Sequence, residues 1–82
     1  MTAGELGDML VATLVRSVGG NARRWRIALG PVRVLDRATH PHCNWSVSPT
    51  GAAHEIAAVE ALLDTVRLSH PLVTADPAPR GR

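Results

Sequence analysis

Two apolar stripes at helical spacing, one near each end of the chain, enclose a stretch in which the apolar residues recur at every second position. Each stripe has to be buried, and the stretch between them is the surface the sequence offers for burying it. In the first stripe Leu6, Met9, Leu10, Leu14 and Val18 fall on one side of a helix. Thr2 and Glu5 ahead of it fit a capping box, the hydroxyl accepting from the third helical amide while the carboxylate reaches back to the cap. Gly19-Gly20 supplies a left-handed stop. The second stripe is Ile56, Val59, Leu63 and Val66, with Leu62 beside it and Glu55, Glu60 and Asp64 largely elsewhere on the cylinder. Ser48 with Pro49 behind it, or Thr50 one turn later, reads as its entrance, and His70-Pro71 as its end.

Between the stripes, Trp25, Ile27 and Leu29 alternate with Arg24, Arg26 and Ala28, which predicts a strand with one buried face. Beyond Gly30-Pro31 the phase slips by one: Val32 and Val34 point one way, and Arg33, Leu35 and Arg37 the other. Gly30-Pro31 is therefore expected to be either a hairpin turn or a bulge in one long strand. After a loop at Thr39 to His42, Cys43, Trp45 and Val47 alternate with Asn44 and Ser46 in a further strand. The expectation is an α+β two-layer sandwich: two helices packed on one face of a small antiparallel sheet of two or three strands, in the order α-β-β-β-α or α-β-β-α. Residues 1–73 form a single domain on this reading and residues 74–82, rich in Pro and Arg, a flexible tail.

Core size limits function. The 24 large hydrophobes include only two aromatics, Trp25 and Trp45. A domain this small buries roughly 60% of the surface its unfolded chain exposes, which leaves little room for a deep substrate cavity. A non-enzymatic protein without a cofactor is expected. Cys43 is the sole cysteine, so no intramolecular disulfide can form, and a reducing cytoplasm fits. The longest near-apolar run, Met9 to Val15, falls far short of the ~20 residues a membrane span needs. The opening eight residues, with two acids and no basic region, do not read as a secretory signal.

Three constellations compete as sites. His40, His42, Cys43 and His54 are residue types that zinc prefers, but neighbours such as His42 and Cys43 point to opposite sides of a strand, so no metal is expected and zinc stands as an alternative. A nucleophilic Cys43, based by one of these histidines and oriented by Asp36, lacks any surrounding signature of cysteine enzymes, and Ser46 and Ser48 lack one of serine hydrolases. The arginines are the third. The chain has nine of them and no lysine, a net charge of +2, and six arginines between Arg16 and Arg37 opposed there only by Asp36. With the tryptophans inside, Arg24, Arg26, Arg33 and Arg37 would form the open face of the sheet, with Leu35 as an apolar residue among them. That combination predicts a protein partner, most simply a homodimer through the Arg-bearing sheet face or edge. Phosphate contacts to nucleic acid are the alternative for the same arginines, though without exposed aromatics on which bases could stack.

Overall fold

The computed structural model describes residues 1–76, and the rest of the expected tail, 77–82, lies outside the described residues. Within them the chain is α+β, with three helices and two short strands in the order α1 (Ala3–Ser17), α2 (Ala22–Leu29), β1 (Arg33–Val34), β2 (Trp45–Ser46) and α3 (Ala53–Ser69). Helix α1 forms as its sequence requires. The Thr2 side chain accepts from the Glu5 amide at 3.1 Å, the Glu5 carboxylate accepts from the Thr2 amide at 2.8 Å, and Gly19 and Gly20 both take positive φ. Leu6, Leu10 and Leu14 are fully buried, whereas Val18 is exposed beyond the last turn.

The expected order is corrected at its second element, since Arg23 to Leu29 is helical and not a strand. Asn21 is the cap, accepting from the Arg23 amide at 2.7 Å, and Gly30 ends the helix at φ 70°. Trp25, Ala28 and Leu29 face the core at helical spacing, with Ala28 2% and Ile27 58% exposed. Strand alternation would have required the reverse at 27 and 28. Gly30-Pro31 is consequently neither hairpin turn nor bulge but the exit of α2 into β1.

Among the described residues the sheet has two strands, the smaller of the two expected numbers, and the helices do not form a layer of two on one face of it. All three helices pack against one another. Arg33 pairs with Ser46 and Val34 with Trp45, antiparallel. Trp45 and Val47 are buried as expected, but Asn44, placed outward by alternation, is buried as well. It departs from the alternation because its side chain serves a segment of backbone that has no ladder of its own. Asn44 Nδ2 donates to the Val73 carbonyl and its Oδ1 accepts from the Val73 amide, both at 2.7 Å, while the Asn44 amide donates to the Pro71 carbonyl. Val73, buried to 1% exposure, continues to Thr74, which forms a parallel bridge with Thr2. The Ala3 amide donates to the Thr74 carbonyl and the Gly4 amide to Asp76, so the last described residues satisfy the first turn of α1. Thr74 to Asp76, read from sequence as part of the tail, thus bond to the opposite end of the chain.

The entrance of α3 is also corrected. Ala52 occupies the cap position and offers no side-chain acceptor, and neither Ser48 nor Thr50 caps. Glu55 reaches back to the Ala52 amide at 2.9 Å, and Gly51, at φ 116°, leaves space that a Cβ would fill 2.6 Å from Glu55 Oε1. The stripe Val59, Leu63 and Val66 is buried, with Ile56 and Leu62 at its margins, and His70 ends the helix. Among the described residues no helix is long and apolar enough to cross a membrane.

Candidate functional site

The arginines expected on one sheet face are divided between two environments. Arg24 and Arg26 belong to α2, where Trp25 points into the core, and their side chains leave the helix on opposite flanks. Arg24 makes a two-pronged contact with Glu55 of α3, Nη2 to Oε1 at 2.7 Å and Nε to Oε2 at 2.8 Å. Arg26 meets Asp8 of α1 at 2.9 Å. The short helix is thereby tied on both sides to its longer neighbours, and both cations are engaged within the chain. Arg23 and Ile27, four residues apart on the outward side, are exposed.

Glu55 is expected largely off the apolar stripe of α3, yet its side chain is only 9% exposed. The Arg24 hydrogen bonds, reinforced by the Ala52 amide, hold its carboxyl at about 2, well below its ordinary 4.5. A carboxyl lowered in the folded state stabilises that state above its unfolded pKa, and the contribution disappears as pH falls through the folded value. Thermal stability is therefore expected to decline as pH falls from about 4.5 toward 2, and Glu55→Gln should flatten that limb of a melting-temperature profile recorded by circular dichroism. An identical acid limb in wild type and variant would remove this role for the pair.

Arg33, Leu35 and Arg37 lie on and just beyond β1. Arg33 and Arg37 are exposed and form no ion pair among the described residues, and Leu35 is partly covered. The Leu35 amide donates to the Asn44 carbonyl at 2.6 Å. In an antiparallel ladder that leaves Val34, opposite Trp45, as a non-hydrogen-bonded pair, so the Val34 amide and carbonyl are directed away from β2. The two sides of the sheet differ. Beside β2, Pro71 and Val73 bond to Asn44; beyond β1 there is no third strand among the described residues, and Val34 is 39% exposed.

No family model, curated protein or solved structure matches this chain. The reading of the site therefore stands on its own geometry. The four candidate metal ligands are not brought together: His40 and His42 are exposed in the connection from β1 to β2, His54 is exposed in the first turn of α3, and Cys43 packs against the core with Sγ 3.6 Å from the Trp45 carbonyl. Among the described residues no three His, Cys, Asp or Glu side chains gather as a metal site would require.

Beside the start of β1 lies a groove of about 380 Å³ between α1 and the exit of α2. Gly7 and Val11 form part of one wall, Pro31 and Val32 part of the other, and Asp8 and Asp76 contribute carboxylates. Nothing in the sequence pointed to this groove, because its walls come from separate elements, α1 on one side and the exit of α2 on the other. Asn44 and Glu55 were missed for different reasons. Asn44 fits strand alternation as an outward residue, whereas Glu55, three residues beyond Ala52, carries the helix-start spacing that could have found it.

Proposed function

We propose that this chain is a non-enzymatic cytoplasmic protein-interaction module that associates through the outer edge of β1, most simply with a second copy of itself. The observation that carries the reading is the difference between the two sides of the sheet: beside β2, Pro71 and Val73 bond to Asn44, while β1 presents an outward-facing amide and carbonyl at Val34 with no strand among the described residues to receive them. A two-stranded ribbon is marginal alone, and an uncovered edge is a template for a further strand. The exposed guanidinium groups of Arg33 and Arg37, which form no ion pair among the described residues, flank this edge and suit carboxylates on a protein partner. The nucleic-acid alternative is less favoured because two of its four arginines, Arg24 and Arg26, are held by Glu55 and Asp8. The single cysteine is compatible with a reducing compartment.

Sedimentation equilibrium is the direct test. The chain is expected to form dimers at micromolar concentration, and Val34→Pro, which removes an amide the fold does not use, should weaken them by at least about tenfold while leaving the helical signal intact. A chain that stays monomeric throughout, or a Val34→Pro protein that dimerises as before, would refute the proposal.

A further inference from the structure

We infer that Thr74 to Asp76 form a hinged clasp that opens and closes as one unit on a fixed anchor at Val73, and that its opening uncovers the end of the groove at Ala3 and Gly4. The segment after α3 is fastened unequally along its length. Val73 is 1% exposed, and both of its bonds to the Asn44 side chain are buried, at 2.7 Å. Thr74, Ala75 and Asp76 are exposed and add nothing to the core. They are held by the Ala3 amide donating to the Thr74 carbonyl at 2.9 Å, the Thr74 amide donating to the Met1 carbonyl at 3.0 Å, and the Gly4 amide donating to Asp76 Oδ1 at 3.0 Å. The Thr74 hydroxyl adds a longer bond, 3.4 Å, to the same Met1 carbonyl. Bonds at the surface can be exchanged for water at little cost, whereas those at Val73 cannot.

Each side of the clasp is secured without it. Thr2 and Glu5 close the first turn of α1 on each other and the Leu6 amide donates to the Thr2 carbonyl, so the helix stays formed when Thr74 and Asp76 leave. Asn44 holds Val73 through its side chain and Pro71 through its amide. The pivot therefore lies between Val73 and Thr74, where buried bonding gives way to exposed. The part that swings borders the groove, which Ala3, Gly4 and Asp76 line together. Gly4 makes room for the carboxylate, since a Cβ there would stand 3.0 Å from Oδ1 and 3.2 Å from Oδ2. Closed, Asp76 is a lip of the groove. Open, it withdraws, and the Ala3 and Gly4 amides meet solvent at the positive end of a 15-residue helix.

Amide hydrogen exchange, read residue by residue by NMR on the full chain, tests the clasp. The amides of Ala3, Gly4 and Thr74 should share one opening equilibrium and be at least about a hundredfold less protected than those of Val73 and Leu10. Asp76→Ala should lower the protection of all three about tenfold and leave Val73 unchanged, and Asp76→Asn, which keeps an oxygen acceptor for Gly4, should recover most of it. If Ala3 and Thr74 are as protected as Val73, or if Asp76→Ala deprotects Val73 equally, these residues open only with the whole fold and the clasp is refuted. If Asp76→Ala changes Gly4 alone, the three bonds act independently and no unit swings.

Discussion

Asn44→Ala is expected to destabilise the fold by about 2–4 kcal/mol, a large fraction of what a domain of this size possesses. The side chain is 2% exposed and makes two hydrogen bonds, one in each direction, with the backbone of Val73. Alanine removes both and leaves a donor and an acceptor in the interior without partners. The melting temperature should fall by roughly 8–32 °C, on the scale of about 4–8 °C per kcal/mol for small domains. Asn44→Asp separates lost volume from lost bonding: it keeps the acceptor for the Val73 amide but presents a second oxygen to the Val73 carbonyl. It should therefore be no more stable than the alanine variant. An Asn44→Ala protein melting within a few degrees of wild type would show that Val73 is held by other means.

Trp45→Ala should be more damaging still, with about 3–5 kcal/mol lost. Trp45 is the larger aromatic contributor to the core, buried to 2% exposure, with its Nε1 donating to the His70 carbonyl at 2.8 Å and Arg67 stacked 5.7 Å from the ring centre. The indole therefore fills the core, anchors the exit of α3 and supplies a face for a cation. Trp45→Phe isolates the hydrogen bond and should cost about 1–2 kcal/mol. The check is chemical denaturation followed by circular dichroism. Should Trp45→Ala unfold at the wild-type midpoint, the core role given to Trp45 and its contacts with His70 and Arg67 would be wrong.

Parts of this arrangement were legible in the sequence for definite reasons. Helix α1 has four turns in which to establish its stripe and carries its boundary signals locally, in Thr2, Glu5, Gly19 and Gly20. The body of α3 is equally clear, although its start is not, since the residue that supplies the cap contact is Glu55 inside the helix and no Ser or Thr ahead of it does so. Helix α2 is only eight residues long. Over so short a span Trp25, Ile27 and Leu29 satisfy a period of two about as well as Trp25, Ala28 and Leu29 satisfy one of 3.6. The decision turns on whether Ile27 or Ala28 is inside, and hydrophobicity ranks them the wrong way round. Asn21 and Gly30 were the boundary signals available there. The site suffered from the same cause. With α2 taken as a strand, Arg24 and Arg26 joined Arg33 and Arg37 on one surface, whereas their partners Glu55 and Asp8 lie on other helices, distant in sequence and invisible to any local pattern.

The bonding of Thr74 and Asp76 to the first turn of α1 bears on the order in which the molecule can be completed on the ribosome. Helix α1 emerges first, but two of its leading amides are satisfied only by residues made some seventy positions later. A nascent chain halted before Val73 lacks the side chain that closes the interior and the carbonyl that steadies the opening helix. The strap from Val73 to Asp76, which bridges Asn44 and the start of α1, is therefore needed before the native contacts at both places are complete.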